Sequence, residues 1–577
     1  MNFLQGKQFQ QIWCADFEFG QSSNLTPAVR CLVAREYYSG RLERLWLDGV
    51  AKPVCPIPMG ENSLYVAYYA SAEMGCHLTL DWFFPKCLLD LFCEFRCLTN
   101  GLSLPAGNGL LGALSAYGLE HIPLVEKEEL RQLALRGGPY NAAEQVALLD
   151  YCQSDVDALV ALLPKMSSEI SIEHALIRGR YTQAVARMES VGIPTDLPLL
   201  KRLRANWESL QDDLIEDVDK DYGVFEGRVF KKDLFSEYLR RHQMAWPRLP
   251  SGNLDLQDKT FRSTAKAHPQ ISSLRELRHS LGQMRLNKFR VGEDSRNRTL
   301  LSPFGGKTGR NQPSTTEFIF GSSVWLRGLI KPAEGWGLCY LDWAQQEFSI
   351  AAALSGDLAM KQAYASGDPY LEFAKLAGAV PPDATKKSHP KERALYKETV
   401  LAVNYGMGAE SLADIIQQPV IIAKDLLRKH RQTFRTFWNW SDGNVDYALL
   451  HKKLWTVFGW QIQVSGPINA RSLANFLMQA NGAEMLRVAC ILMTEAGIRV
   501  CAPVHDAVLI EAPLDELEEK IGQAQELMRE ASRQVLGDFE LTTDADIYRY
   551  PDRYRDEERG GAFWDKVMSL LPDPDVA

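Results

Sequence analysis

The chain has 577 residues, of which 46% are hydrophobic and 24% are charged, a composition typical of a globular protein with several domains. It contains no apolar run of the roughly 18–20 residues that a membrane-spanning helix needs, and its N-terminus lacks the basic and apolar regions of a secretion signal. The net charge of −9 argues only weakly against nucleic acid as a partner, because phosphates are bound by local patches such as the Lys and Arg clusters within 275–298 and 386–397.

The eleven cysteines are scattered along the chain and form no CxxC pair. Cys93 and Cys97 lie one helical turn apart, but no second pair accompanies them to complete a zinc site. We therefore expect free thiols in a reducing compartment.

The first 165 or so residues alternate short apolar runs with helical patterns, which predicts an α/β domain. The segment 13–19, WCADFEF, is typical of a strand because apolar and aromatic residues alternate around acids. The segments 87–98 and 141–164 have helical patterns, and Pro164 is expected to end the second.

Acidic residues recur in this first region. Asp16 and Glu18 are expected on one side of the strand, because side chains alternate with period two. Asp90 follows within 87–98, and Tyr151 and Asp155, four residues apart, share a helix face. Four carboxylates and a tyrosine suit two-metal phosphodiester hydrolysis, in which the tyrosine orients the water. A DxE pair alone is also common on unrelated strands.

The rest of the chain is predicted as follows. Residues 170–290 are mainly helical, residues 338–354 start as an apolar strand and continue as a helix, and another helix starts at Ser388 and Pro390. A long helix covers 471–496 and ends at Gly497. Residues 500–513 are predicted as a β-hairpin that turns at His505–Asp506, and the tail after Pro551 is predicted as irregular.

Asp342 at the end of the predicted strand and Asp506 at the tip of the hairpin are candidate metal ligands. A carboxylate beside apolar sequence is costly unless it is solvated or paired with a cation. Two carboxylates brought together repel each other, and a divalent metal relieves that repulsion. Two unrelated turn aspartates would give the same pattern.

Two helices carry polar stripes with a period of four residues. The first stripe consists of Arg393, Lys397, Leu401 and Tyr405. Its basic, apolar and aromatic members suit a triphosphate at one end and a stacked base at the other. The second stripe consists of Arg471, Asn475 and Gln479. These residues suit contact with a primer terminus or a minor groove. A solvated helix face would produce either stripe.

Three segments in this region resemble the motifs of family A DNA polymerases. LDWAQQEFSIAAALSGD (341–357) resembles motif A, RALYKETVLAVNYG (393–406) resembles motif B, and PVHDAVLIE (503–511) resembles motif C. MESVGIPTD, KTGRNQPS and RSLANFLMQANGAEMLR support the resemblance in the expected order, so that it covers about 170–515.

The resemblance implies a role for each matching position. Asp342 and Asp506 would bind two Mg²⁺ ions, with Mn²⁺ as an alternative, and Glu347 would be the steric gate against a 2′-hydroxyl. Arg393 and Lys397 would hold the incoming triphosphate. Leu401 would pack beside the incoming nucleotide and Tyr405 would lie at the base of the templating pocket. The residues implied to contact primer, template or nascent pair are Arg310, Gln345, Arg471, Asn475, Gln479 and His505.

The chain departs from the family pattern at three of these positions. Ala507 stands where the family usually has Glu after the His-Asp of motif C, so a supporting carboxylate is lost. Leu401 replaces the usual Phe or Tyr, and Ser349 replaces the Arg of motif A. The two metal ligands remain, and we therefore expect an active enzyme.

The N-terminal acids resemble those of the DEDDy 3′→5′ exonucleases that are joined to family A polymerases, over about 10–165. LDLFCEFRCLTNG (89–101) and DYCQSDVDAL (150–159) fit the second and third motifs. The resemblance implies that Asp16, Glu18, Asp90 and Asp155 bind two Mg²⁺ ions, that Tyr151 assists them, and that the substrate is the 3′ end of single-stranded DNA. Asp81 is the alternative to Asp90. Asp157 is a weaker alternative to Asp155, because only Asp155 follows a tyrosine by four residues.

The predicted architecture combines an RNase H-like α/β exonuclease domain over 1–165 with a right-hand α+β polymerase domain over 166–577. The predicted palm consists of 166–196, 296–355 and 441–577, the thumb of 197–295, and the fingers of 356–440.

We expect a DNA-dependent DNA polymerase that extends primer-template DNA with dNTPs, proofreads the product and carries no 5′ nuclease domain. We also expect a cytoplasmic monomer, from a bacterial cell or from the host of a phage or mobile element. One alternative is a single-subunit RNA polymerase, against which Glu347 and the exonuclease argue. The other is a nuclease or non-catalytic DNA-binding protein with a decayed polymerase half, which Ala507 and Leu401 favour.

Overall fold

The structure, a computed structural model, describes residues 9–119, 124–283, 286–404, 406–466, 469–537 and 539–572. It consists of two compact units. The first comprises Met1–Val191, Leu301–Gln312 and Leu338–Ile547, and the second comprises Gly192–Leu300, Pro313–Gly337 and Tyr548–Ala577.

The strands and helices follow one another along both units. The strands are β1 (Gln11–Gln21), β2 (Pro27–Glu36), β3 (Leu42–Trp46), β4 (Ser63–Ala67), β5 (Leu88–Asp90), β6 (Ile193–Pro194), β7 (Phe225–Glu226), β8 (Val229–Phe230), β9 (Arg296–Asn297), β10 (Trp336–Trp343), β11 (Lys453–Trp455), β12 (Gln461–Gln463), β13 (Arg499–Val504), β14 (Ala507–Pro513) and β15 (Thr543–Arg549). The α-helices are α1 (Ala70–Thr79), α2 (Leu91–Thr99), α3 (Leu110–Ala116), α4 (Leu124–Arg136), α5 (Ala142–Met166), α6 (Ile172–Val191), α7 (Leu197–Ala205), α8 (Trp207–Asp219), α9 (Lys232–Arg241), α10 (Asp258–Ala267), α11 (Ser272–Gln283), α12 (Gln346–Ser355), α13 (Leu358–Ala365), α14 (Pro369–Leu376), α15 (Pro390–Asn404), α16 (Ala409–Ile416), α17 (Val420–Thr433), α18 (Arg435–His451), α19 (Ala470–Glu495), α20 (Leu517–Leu536) and α21 (Ala562–Leu570).

The N-terminal sheet has the strand order β3-β2-β1-β4-β5, in which β1 pairs antiparallel with β2 and parallel with β4. Successive residues of β1 enter different cores. Ile12 and Cys14 pack in the core that contains residues of α5, whereas Trp13, Ala15 and Phe17 pack in the core that contains residues of α1. The predicted strand at 13–19 is therefore confirmed, and its burial on both faces explains its dense apolar content.

Three local predictions for the chain were wrong. Residues 88–90 form strand β5, which pairs parallel with β4, and the helix starts at Leu91. A short buried apolar run does not distinguish a strand from a helix. Helix α5 continues past Pro164 to Met166.

The tail after Pro551 is not irregular, because helix α21 occupies Ala562–Leu570. Phe563, Trp564 and Val567 are buried along this helix. A Cβ atom on Gly328 would lie 2.4 Å from the Trp564 ring, so the glycine allows the ring to pack directly on the backbone.

A second sheet in the first unit has the strand order β13-β14-β10-β15. Strands β13 and β14 form the predicted hairpin, with Val504 paired to Ala507. The predicted strand and helix at 338–354 correspond to β10 and α12, and the helices predicted from Pro390 and over 471–496 correspond to α15 and α19. These four predictions are confirmed.

The region 170–290 is mainly helical as predicted, with a short β7–β8 hairpin. The second unit has its own aromatic core, which contains Tyr222, Phe235 and Phe261. All eleven cysteines are free thiols, as expected. Among the described residues, no helix combines the length and the apolar character needed to cross a membrane. The domain boundaries and the cytoplasmic location stay predictions.

Candidate active site

Asp342 lies at the end of a strand, and Asp506 lies in the turn of the neighbouring hairpin. Asp342 belongs to the end of β10, and Gln345, with a φ of 49°, adopts the left-handed conformation before α12. His505, with a φ of 57°, and Asp506 connect β13 to β14. Because β14 is the sheet neighbour of β10, both carboxylates line one cavity of about 600 Å³.

The cavity collects many of the residues that the sequence assigned to polymerisation. The predicted residues that line it are Arg310, Asp342, Gln345, Glu347, Leu401, His505 and Asp506. Trp343, Gln346, Phe348, Tyr370 and Asn404 complete the wall. Segments far apart in sequence therefore converge on one chamber.

The carboxylates of this cavity repel one another. Burial, together with the nearby charges of Asp506, Asp544 and Asp546, raises the pKa of Asp342 to about 6. Burial also raises the pKa of Glu347, whereas the Arg310 guanidinium opposes that rise. A divalent cation between Asp342 and Asp506 would relieve the repulsion.

The carboxylate oxygens of Asp342 and Asp506 suit Mg²⁺ when substrate phosphates supply further ligands. Among the residues that the structure describes, no group of three or more His, Cys, Asp and Glu side chains forms a ready-made metal site. Mg²⁺ is usually bound by one or two carboxylates, with water and substrate phosphates completing its shell. Asp342 and Asp506 meet that requirement.

The cavity wall also offers hydrogen-bond donors. Gln346 is 4% exposed, and its Nε2 has no hydrogen-bond partner among the described residues. The Arg310 Nε is likewise buried without a partner there. A buried donor without an acceptor costs about 1–3 kcal/mol, and a bound ligand with acceptor oxygens would remove that cost.

Two members of the first predicted stripe lie outside the cavity wall. Arg393 forms an ion pair with Asp368, and its guanidinium carbon lies 5.6 Å from the centre of the Tyr370 ring. Lys397 is exposed one turn further along α15. Tyr405 lies outside the described residues, so its place at the base of the templating pocket stays a prediction.

The second stripe lies on α19 and does not line the cavity. Arg471 is exposed, and Asn475 and Gln479 are half-buried. A Cβ atom on Gly406, whose φ is 61°, would meet the Arg471 side chain at 2.3 Å, so the chain after α15 passes directly over Arg471. The predicted contacts of these residues with DNA stay predictions.

Tyr370 and Asn404 were not singled out from the sequence. Tyr370 is the second residue of α14, where the helical pattern predicts only an apolar face, and burial raises its pKa while the Arg393 charge opposes the rise. Asn404 ends α15 next to the predicted stripe and is buried. The spacing of Asn404, three residues after Leu401, was a usable signal, whereas Tyr370 gave none.

A second group of acids lies at the N-terminal sheet. Asp16 and Glu18 lie on β1, and the Cys152 thiol on α5 contacts the Asp16 carboxylate at 3.4 Å. Burial raises the pKa of the Tyr151 hydroxyl, and the charges of Glu18, Asp155 and Asp16 raise it further. The structure thus brings together Asp16, Glu18, Tyr151 and Asp155.

Glu73, in the first turn of α1, joins this group. It is 3% exposed, and burial raises the pKa of its carboxyl well above the usual range, with further contributions from Asp16 and Glu18. The Phe17 N–H donates to its carboxylate, and its Oε2 has no partner among the described residues. A buried carboxylate oxygen without a partner beside two other acids is costly, and a bound cation would lower that cost.

Asp90 caps a helix instead. Its side chain accepts hydrogen bonds from the N–H groups of Phe92 and Cys93 at the start of α2 and from those of Tyr69 and Ala70 before α1. Burial raises its pKa to about 6 against the effect of these bonds. Asp90 thus acts as an N-cap in this structure, and its role as a metal ligand stays a prediction.

Neither alternative acid joins the group by the contacts that the structure shows. Asp81 is exposed in a left-handed turn after α1, with a φ of 57°. Asp157 forms an ion pair with Arg35 at 2.9 Å on the surface. A sequence signal for Glu73 existed, since it follows strand β4 and lies among the small residues of YYASAEMG, but many first-turn acids only complement a helix dipole.

The family model of DNA polymerase family A matches residues 313–548, which include Asp342, Glu347 and Asp506. Over this region, the chain is similar to DNA polymerase family A. The chain is 24% identical over 448 residues to DNA polymerase I of Aquifex aeolicus, a match that covers 70% of this chain and 75% of that protein.

Other relatives are longer than the matched region. The chain is 23% identical over 459 residues to DNA polymerase I of Chloroflexus aurantiacus, and 28% identical over 212 residues to the thermostable DNA polymerase I of Thermus thermophilus. The first match covers 73% of this chain and 46% of the Chloroflexus protein. The second covers 34% of this chain and 25% of the Thermus protein.

The solved structure of the POL domain of Pol1 from M. smegmatis, in complex with DNA primer-template and dNTP, has the same fold. The TM-score is 0.70 at 19% sequence identity, with 95% of this chain and 96% of that chain covered. The predicted mixed α/β polymerase fold is therefore confirmed. The exonuclease assignment of 1–165 stays a prediction.

Proposed function

We propose that the chain is a template-directed, DNA-dependent DNA polymerase that extends the 3′ end of a primer with dNTPs. The observation that carries this proposal is the convergence of Asp342 and Asp506 on one cavity together with Glu347 and Arg310. The family match includes both aspartates. The proposed partners are primer-template DNA and dNTPs, and the proposed form is a monomer with the palm, thumb and fingers boundaries predicted from the sequence.

The residues of the cavity divide the work of nucleotide addition. Mg²⁺ ions, or Mn²⁺ in their place, bound to Asp342 and Asp506 would activate the primer 3′-oxygen and stabilise the leaving pyrophosphate. Arg393 and Lys397 bind the triphosphate, and Asp368 holds the Arg393 guanidinium in place through their ion pair. Glu347 restricts the space beside the sugar. Most of the rate enhancement then comes from positioning and from charge neutralisation.

Primer extension by the purified protein tests this function. We expect incorporation of dNTPs opposite a template, and loss of extension with retained DNA binding in Asp342→Asn and Asp506→Asn. Asp515→Asn, on the turn after β14, is a control for removal of a carboxylate outside the cavity wall. Transcription from NTPs without a primer would favour an RNA polymerase, and DNA binding without synthesis would favour a non-catalytic protein.

We further propose a 3′→5′ proofreading exonuclease in the N-terminal region, with the 3′ end of single-stranded DNA as substrate. The buried group of Asp16, Glu18 and Glu73, with Tyr151 on the facing helix, supports this second activity. Asp155 extends the group, and two Mg²⁺ ions are its proposed cofactors. Asp16→Ala combined with Glu18→Ala should abolish degradation of a mismatched primer end and leave extension intact. Degradation at the wild-type rate by this variant would reject the exonuclease.

A further inference from the structure

The polymerase cavity lacks a carboxylate after Asp506. Ala507, which occupies the position where the resemblance leads us to expect Glu, is fully buried at the start of β14 and offers no oxygen. Asp342 and Asp506 are the carboxylates of the two turns, and Glu347 lies on α12 beside the Arg310 charge. A third acid for the metal side of the cavity must therefore come from another element.

Strand β15 brings Asp544 to that side. The Ala344 N–H donates to the Thr542 carbonyl at 3.0 Å, and the Tyr550 N–H donates to the Trp336 carbonyl at 3.2 Å. These bonds set an antiparallel register between β10 and β15 in which Asp544 stands directly opposite Asp342. Residues opposite each other in such a hydrogen-bonded pair are about 5.5 Å apart at Cα and project from the same face.

This juxtaposition is unfavourable without a cation. Like charges directly opposite each other on adjacent strands are destabilising. Among the described residues, no Lys, Arg or His forms an ion pair with Asp544, and its side chain is exposed.

A second feature of the same cavity points to a charged ligand. Gln346, the first residue of α12, belongs to the wall of this cavity and is buried, and its Nε2 lacks a partner among the described residues. An amide donor requires an acceptor oxygen, which a phosphate group supplies. A shift of this side chain towards the cavity would therefore place a donor for phosphate near the carboxylates.

We propose that Asp544 supplies the third carboxylate of the polymerase metal site and replaces the Glu that is absent at position 507. The inference rests on the proposed polymerase function. Asp544 acts as a positioning residue: from its exposed strand it accepts hydrogen bonds from water bound to the ion, whereas Asp342 and Asp506 bind the ion itself. Partners of this kind typically change metal affinity by about 10–100-fold when they are removed.

The matched pair Asp544→Asn and Asp546→Asn tests the proposal. Both residues are exposed acids on the same face of β15, but Asp546 stands opposite Tyr340, two residues further from the turn. We expect Asp544→Asn to raise the Mg²⁺ concentration for half-maximal primer extension at least about tenfold. Asp546→Asn should change it less than about threefold, and Asp544→Glu should stay close to wild type.

Two further measurements separate metal binding from structure. Mn²⁺ binding to the DNA-free protein, followed by electron paramagnetic resonance, should weaken about tenfold in Asp544→Asn and not in Asp546→Asn. Adding Ala507→Glu to Asp544→Asn should return the Mg²⁺ concentration for half-maximal extension to the wild-type value. A folded double variant that still needs as much Mg²⁺ as Asp544→Asn alone would overturn the proposed replacement.

The outcomes distinguish this inference from the proposed function. Equal Mg²⁺ and Mn²⁺ behaviour of Asp544→Asn and Asp546→Asn overturns the role of Asp544 while polymerase activity stands. A wild-type protein that extends no primer overturns the polymerase function, and Mn²⁺ binding then still shows whether Asp544 contributes to a cation site.

Discussion

The Phe17 N–H of β1 donates a hydrogen bond to the Glu73 carboxylate of α1. This bond fixes a buried acid beside the strand that carries Asp16 and Glu18, on the side of the sheet opposite to α5. Its second oxygen has no partner among the described residues. From this pairing we propose that Glu73 of α1, rather than the capping acid of α2, acts as the third acid of the N-terminal group.

Glu73→Gln should therefore reduce 3′→5′ degradation at least about tenfold, since it removes a ligand charge from the group. Without a bound cation it should leave stability unchanged or raise it, because burial disfavours the charged form of this carboxyl and an amide has the same shape. Single-turnover degradation of a mismatched primer and urea unfolding measure the two effects.

Asp90→Asn should show the opposite behaviour. It removes acceptors for buried N–H groups at the starts of α1 and α2, which should cost about 1–3 kcal/mol of unfolding free energy. Degradation by the folded fraction should stay within about threefold of wild type. If Asp90→Asn abolished degradation and Glu73→Gln spared it, the assignment made from the sequence would be correct and ours wrong.

The exchange of Asp90 for Glu73 shows what the sequence could and could not predict. An acid between an apolar strand and a helix is equally typical of a metal ligand and of an N-cap, and only the tertiary hydrogen bonds to Tyr69 and Ala70 distinguish them. Asp342 and Asp506 were easier to predict. Both follow strong strand patterns, and both lie in motifs whose internal spacing is intact.

Elements that depend on long-range packing escaped prediction. Helix α21 is short, and its buried Trp564 packs on Gly328, more than two hundred residues earlier in the chain. Tyr370 reaches the cavity only because α14 packs beside α15, which no local pattern reveals. The long helices α5 and α19 were predictable because many turns repeat the same apolar period.

Glu347→Ala should weaken discrimination between dNTPs and NTPs by about 10–200-fold, the range expected when a pocket loses one excluding group. Glu347 is half-buried in the cavity wall, and its removal opens space beside the sugar. Glu347→Gln is the matched control, since it keeps the volume and removes the charge. Incorporation of NTPs relative to dNTPs at one template position measures the effect. Unchanged discrimination in Glu347→Ala would place the gate elsewhere.

Leu401 lines the cavity as a half-buried side chain and offers neither a ring nor a hydroxyl. In the family, a Phe at this position disfavours dideoxynucleotides, and a Tyr hydroxyl stands in for the missing 3′-hydroxyl. The wild-type chain should therefore reject dideoxynucleotides. Leu401→Tyr should raise dideoxynucleotide incorporation about fivefold, because one added hydrogen bond contributes about 1 kcal/mol.

Leu401→Phe is the control for the ring without the hydroxyl. It should tighten dNTP binding by restored stacking, which is worth about 1–3 kcal/mol per base, with the gain at the low end because leucine already fills apolar volume. It should not raise dideoxynucleotide incorporation. Equal behaviour of the Tyr and Phe variants towards dideoxynucleotides would show that this side chain does not face the sugar.

His430 is buried among the rings of Phe373, Phe434 and Trp438 in the region predicted as fingers. Its Nδ1 accepts a hydrogen bond from the Trp438 indole N–H at 3.1 Å. Burial lowers its pKa from 6.5 to about 3. As the pH falls below 6.5, the unfolded chain therefore takes up a proton at this histidine, whereas the folded protein keeps it neutral until about pH 3.

The sign of the pH dependence follows from that difference. Above pH 6.5 both states are neutral and the histidine adds no pH dependence. Between pH 6.5 and about 3 only the unfolded state gains the proton, so the free energy of unfolding falls by about 1.4 kcal/mol for each pH unit.

His430→Phe keeps a ring in the aromatic cluster but cannot take up a proton. Between pH 6.5 and pH 5, the free energy of unfolding of this variant should therefore fall by about 2 kcal/mol less than that of wild type. Urea unfolding at both pH values measures the change, with His242→Gln, at an exposed position, as the control. A His430→Phe protein that loses as much stability as wild type over this interval would show that His430 accepts a proton in the folded state.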